Sequence, residues 1–162
     1  MFNPCSLCPA SCCKTYIITT TSFDVQRVCQ ATGKKHEEFA VLHELRLLNY
    51  DPDMVLNTTD RYGHYILGFK SHPCTFLENN RCSIYESAPL SCRHFPYTVG
   101  NMNTRFCPLP SQLFFRLKGP ETDKTILLTE LKLYKEIVKE WNEKSGTKDD
   151  CINFLLGSSI SH

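Results

Sequence analysis

The chain has no apolar run approaching the roughly 20 residues needed to cross a bilayer. Its longest strips, such as Ile126-Leu127-Leu128, stop after a few positions. Neither charge sign dominates: 18 Lys and Arg against 17 Asp and Glu leave a formal net charge of +1. That balance gives no case for a nucleic-acid or anionic-membrane partner. The N-terminus has neither the basic region nor the apolar region of a signal peptide, so the expected compartment is the cytoplasm. Glycine is sparse, and its seven copies never cluster. No internal repeat, low-complexity stretch or interdomain linker stands out in the 162 residues, a length suited to one hydrophobic core.

Cysteine is what the chain has in excess. Ten are present, roughly three to four times ordinary usage. Where thiols stay reduced, clustering of this kind favours metal over a disulfide framework or other thiol chemistry. Cys5, Cys8, Cys12 and Cys13 all fall within the first thirteen residues. The Cys5-x2-Cys8 spacing lets a tight turn aim both sulfurs at one ion, as in a zinc knuckle or one edge of an iron–sulfur site. Cys8-x3-Cys12 extends the set. Neighbouring side chains diverge in extended backbone, so Cys12 and Cys13 overfill a single ion. Two adjacent centres, a polynuclear cluster, or one cysteine outside the coordination sphere would each accommodate them.

Four more cysteines follow as Cys74, Cys82, Cys92 and Cys107. Eight thiols could serve two four-coordinate sites, although pairing is not legible from sequence. Soft thiolates select zinc, cuprous copper or iron–sulfur clusters over hard cations, without deciding among them. Cys29 and Cys151 fall on apolar helical stretches and are expected to pack as small hydrophobes. A centre of four thiolates is anionic and calls for N–H donors around it. Arg81, Arg93 and Arg105 lie near cysteines, and Arg93 is favoured because Cys92 and His94-Phe95-Pro96 flank it. His94 and His72 are read as structural histidines rather than ligands, and Tyr85 as packing beside the site. His36, His43 and His64 are expected at surface or helix positions.

These residues form a recognisable set: Cys-x2-Cys-x3-Cys-Cys at the N-terminus, Cys74-Thr-Phe-Leu, Cys82-Ser-Ile-Tyr85, and Pro89-x2-Cys92-Arg93-x-Phe95-Pro96. Together they resemble the CxxCxxCC cysteine-cluster family, a YkgJ-like zinc- or iron-chelating domain. Ser22-Phe23-Asp24-Val25, Glu38-Phe39 and the late Trp141-Asn142 are similar to that family's layout. Two departures stand out. Pro9-Ala10-Ser11 separates the second and third cysteines where the family usually has two residues, and Ala88-Pro89 replaces its usual Arg-Pro. Some relatives are labelled flagellin lysine methylases. A doubly wound methylase would need a Gly-rich turn after a strand, which is missing, so that activity is not carried over.

Local patterning predicts a strand over Lys14–Thr20, rich in aromatic and β-branched residues. A helix follows over Phe23–Thr32, with Ser22 as N-cap and Gly33 as its stop. Phe39, Leu42, Leu45 and Leu48 predict a second helix over His36–Leu48. Met54–Thr58 and His64–Phe69 predict a hairpin turning through Asp60-Arg61-Tyr62-Gly63, and Glu78-Asn79-Asn80 marks another turn. A short strand is expected over Leu113–Leu117. Leu127, Leu131, Tyr134, Val138 and Trp141 predict a long helix over Thr122–Lys144, ended by Ser145-Gly146, with a short helix over Cys151–Leu156 after it.

The expected fold is α+β: a small single domain over 1–162, with short β-hairpins and a long C-terminal helix. Residues 1–13 and 73–108 form cysteine-rich loops around a metal centre, and 122–156 form the helical C-terminal part. The expected function is binding of an iron–sulfur cluster or zinc, with a redox or electron-transfer purpose and an unspecified redox or protein partner. The alternatives are a metal-dependent enzyme, as the methylase-labelled relatives suggest, and a structural zinc module that presents a surface to a protein partner.

Overall fold

Ala40 and Leu42 are buried, while Val41 and His43, which follow each of them, are partly exposed. That period of two is the signature of a half-buried strand. The computed structural model describes residues 9–45, 50–95, 97–98, 101–102 and 121–157. In it Ala40–Glu44 (β1) pairs antiparallel with His64–Phe69 (β3), from Ala40↔Phe69 to Glu44↔Tyr65. Leu56–Asn57 (β2) pairs with the other side of β3, so the sheet order is β1-β3-β2.

The helix expected over 36–48 is therefore corrected to a single turn, His36–Phe39 (α3), followed by a strand. Phe39 reaches the core from the turn and Leu42 from the strand, so steps of three did not mean one helix face. His43 sits on β1 with Nε2 2.7 Å from the Phe69 carbonyl. Residues 46–49 lie outside the described ones, as do Cys5, Cys8, Arg105, Cys107 and the strand expected over 113–117.

The strand expected over 14–20 is also corrected. Lys14 and Thr15 complete a short helix, Ser11–Thr15 (α1), entered through Ala10 at φ 61°. Only the following residues extend along the sheet. Thr19 bridges Gly68, the Thr20 amide donates to the Leu67 carbonyl at 3.0 Å, and the Phe69 amide donates to Ile18 at 2.9 Å. Gly68 permits this approach, because a Cβ there would stand 2.9 Å from both the Ile18 carbonyl oxygen and the His43 ring.

Helix Ser22–Thr32 (α2) starts one residue earlier than expected, and its N-cap is Thr21 rather than Ser22. Thr21 and Asp24 form a reciprocal capping box, satisfying amides at the helix start that have no partner within the helix. Gly33 stops α2 at φ 70°. The expected hairpin turns at Gly63, φ 72°, although a 3-10 turn occupies Pro52–Met54 and shortens its first strand. Leu77–Glu78 (β4) and Arg81–Cys82 (β5) pair around Asn79 and Asn80, both at positive φ. This is the conformation of a tight primed turn. Leu90–His94 (α4) follows, and Tyr97–Thr98 (β6) pairs with Asn101–Met102 (β7).

Glu121–Lys144 (α5) is the long helix the periodicity predicts, with Leu127, Tyr134, Val138 and Trp141 buried. Its end also covers β2. Trp141 Nε1 donates to the Asn57 carbonyl at 2.7 Å, and Asn142 accepts from the Asn57 amide at 2.8 Å and donates to Val55 at 2.9 Å. A strand edge left bare would be open to pairing with another chain. Lys148–Gly157 (α6), capped by Thr147 and Asp150, buries Cys151, Leu155 and Leu156. One core joins the sheet to α2, α5 and α6, with Phe39, Phe69 and Phe76 meeting edge to face at its centre. The fold is α+β, with a long helix toward the C-terminus. Among the described residues no helix is long and apolar enough to cross a membrane.

Candidate metal centre

Helix α1 carries Cys12 and Cys13. The two residues lie on a helical turn rather than in extended chain, and their sulfurs are 3.8 Å apart. The Cys74 amide donates to the Cys13 carbonyl at 2.8 Å, which brings the loop before β4 against α1. Cys74 is 8% exposed. The tight turn at Asn79-Asn80 returns the chain so that Cys82 pairs with Leu77 in the β4–β5 ladder. Cys92 arrives from another direction, on α4.

Burial and mutual repulsion shift the ionisation of these thiols. Cys92 keeps some exposure as a residue, yet burial of its thiol pushes the pKa well up, and the charges of Cys12, Cys74, Asp24 and Cys82 add to the rise. Burial likewise raises Cys74 and Cys82, each of which feels Cys12. Against that rise work two backbone amides: Phe76 donates toward Cys74, and Ile84 toward Cys82. Amide donors of this kind stabilise a thiolate and orient it. Cys12 is hydrogen-bonded to Cys13, with sulfurs 3.8 Å apart. Its hydrogen bond to Cys13 lowers Cys12 to about 7, and the same bond raises Cys13, with burial and the charges of Cys12, Cys74 and Cys92 adding.

Cys12, Cys13, Cys74, Cys82 and Cys92 are thus brought together from separate segments, whereas Cys5, Cys8 and Cys107 lie outside the described residues. Among the described residues, no three Cys, His, Asp or Glu side chains are arranged as a finished metal-binding set. Zinc or iron therefore fits by donor chemistry, soft thiolates with amides directed at them, rather than by preformed ligand geometry. Arg93 donates to the Glu86 carbonyl at 3.1 Å. Arg81 is exposed, and His94 is buried at 6% exposure on α4. Cys151 is fully buried in the core, and Cys29 packs against that core from α2.

Asp24 is the residue whose importance the sequence concealed. It is 2% exposed and reaches from α2 to the helix that bears Cys92: its Oδ1 accepts from the Leu90 amide at 3.0 Å. The spacing Thr21-x-x-Asp24 announces a capping box. Nothing in it announces a partner on α4.

Thiols from several segments, two of them with backbone amide donors, are the donor chemistry that soft metals select. The chain belongs to the CxxCxxCC family, described as a putative zinc- or iron-chelating domain, whose model matches residues 4–110. That span contains all eight clustered cysteines. No curated protein and no solved structure matches the chain significantly.

Proposed function

We propose that this chain binds zinc or an iron–sulfur cluster through Cys12, Cys13, Cys74, Cys82 and Cys92, completed by Cys5, Cys8 and Cys107. With an iron–sulfur cluster bound, its purpose in this proposal is redox chemistry or electron transfer. One observation carries the assignment: in a chain of a chelating family, α1 holds the Cys12 and Cys13 sulfurs 3.8 Å apart and is tied to the Cys74 loop, whose Cys74 amide donates to the Cys13 carbonyl at 2.8 Å. An iron–sulfur cluster would supply one-electron chemistry, and zinc would supply a redox-inert cross-link. The chain's own groups hold the thiolates: the Phe76 and Ile84 amides direct donors at sulfur, and Arg93 adds a cation one residue from Cys92.

The test is elemental analysis with a visible spectrum on protein purified without oxygen. Stoichiometric iron and sulfide with a sulfur-to-iron absorption band support the redox assignment. Colourless protein holding stoichiometric zinc removes the redox purpose and leaves chelation. Absence of both metals overturns the proposal.

A further inference from the structure

Helix α4 is five residues long and holds Cys92 at its centre. A helix of one turn has little stability of its own, and its first amides have no partner within it. Its N-cap is Pro89, with no side-chain cap hydrogen bond. The Leu90 amide, at 2% residue exposure, instead donates to Asp24 Oδ1 on α2. Asp24 in turn is held on every side: Oδ1 also accepts from Arg27 Nη1 at 2.7 Å, and Oδ2 accepts from the Thr21 amide and the Thr21 hydroxyl, both at 3.0 Å. Arg27 continues to Glu130 on α5 through an ion pair. One buried carboxylate therefore caps α2, caps α4 from outside, and ties both to the long helix.

We propose that Asp24 is a positioning residue for Cys92: through the Leu90 amide it fixes α4, and with it the direction from which the Cys92 thiol joins the cluster. The proposal rests on the metal-chelating role proposed above. Without the carboxylate the Leu90 amide is left buried and unpaired, and local opening of α4 becomes much cheaper. Cys151 lies on α6, outside the Asp24–Leu90 hydrogen bond, and serves as an internal control for global opening.

The test is iodoacetamide alkylation of the full chain after chelator treatment, with each cysteine's rate followed by mass spectrometry. Asp24→Ala is expected to speed alkylation of Cys92 at least about tenfold while Cys151 stays protected, given the worth of a hydrogen bond to a charged group. Asp24→Asn removes the same negative charge that raises the Cys92 thiol but keeps one acceptor oxygen. A smaller rise there isolates the hydrogen bond, and equal rises in both variants would assign the effect to charge and overturn the proposal. Metal retention should fall no further in Asp24→Ala/Cys92→Ser than in Cys92→Ser alone, because the residue acts through that thiol. If Asp24→Ala exposes Cys151 as well, the comparison passes to Asp24→Asn. The proposal is overturned by unchanged Cys92 alkylation in whichever variant protects Cys151, or by joint exposure of Cys92 and Cys151 in both. It is also overturned by an additive loss of metal in the double variant. Wild-type protein without zinc or iron would instead remove the metal-centre role, whatever the alkylation rates.

Discussion

The Cys74 amide donates to the Cys13 carbonyl at 2.8 Å, joining α1 to the loop before β4 by backbone alone. Because no side chain is involved, a cysteine in either position can be changed without cutting this link. Cys74→Ser should therefore keep the fold and lose bound metal, since a hydroxyl is a poor substitute for a soft thiolate. Elemental analysis of the purified variant checks this, and unchanged metal content would take Cys74 out of the ligand set.

Cys151→Ala should do the opposite. Its side chain is fully buried in the core, so truncation should cost about 1–2 kcal/mol of stability and leave metal content intact. Denaturant unfolding together with elemental analysis separates the two effects.

Tyr134 is fully buried on α5, and its hydroxyl finds no hydrogen-bond partner among the described residues. Tyr134→Phe should be neutral or stabilising by up to about 1 kcal/mol, because an unpaired polar group leaves the core. Tyr134→Ala should cost about 3–5 kcal/mol through the cavity it opens. A marked loss of stability in the Phe variant, read from denaturant midpoints, would mean that the hydroxyl has a partner.

Gly68 sits where the chain at Ile18 crosses β3. Gly68→Ala would press a methyl to 2.9 Å from the Ile18 carbonyl oxygen and from His43 Cδ2. Overpacking against backbone should cost about 1–3 kcal/mol. A variant as stable as the parent in thermal unfolding would contradict the placement of residues 18–20 on this sheet.

Metal removal should loosen the structure unevenly. Helices α1 and α4 are short and carry three of the clustered thiols, Cys12, Cys13 and Cys92. Strand β3 and helix α5 are held by the apolar core instead. Chelator treatment should speed amide exchange at Tyr16 and Cys92 while amides of β3 and α5 stay protected. Uniform exchange across all four elements would mean that the metal supports the whole fold, or none of it.

Periodicity and turn chemistry were enough for the parts of the fold that are local. The stripe from Leu127 to Trp141 announces α5, Gly33 and Gly63 take the positive φ their positions demand, and Asn79-Asn80 makes the turn that returns Cys82. Where tertiary pairing decides, the residues were ambiguous. Phe39 and Leu42 fit a helix by spacing but divide between a turn and a strand, because β3 offers Ala40–Glu44 a partner. Lys14 and Thr15 fit a strand by composition, yet they close the helical turn that sets Cys12 and Cys13 side by side. The cysteine set was legible as chemistry. Its support was not: the donors toward Cys74 and Cys82 include the backbone amides of Phe76 and Ile84, which any residue type supplies. Asp24 announces its local cap and hides its bond to Leu90.

The most direct test of the central claim is X-ray absorption at the metal edge on full-length protein purified without oxygen. A cysteine-ligated centre predicts a first shell dominated by sulfur, at about 2.3 Å if the metal is zinc. A shell of nitrogen and oxygen alone, or protein without stoichiometric zinc or iron, would contradict it.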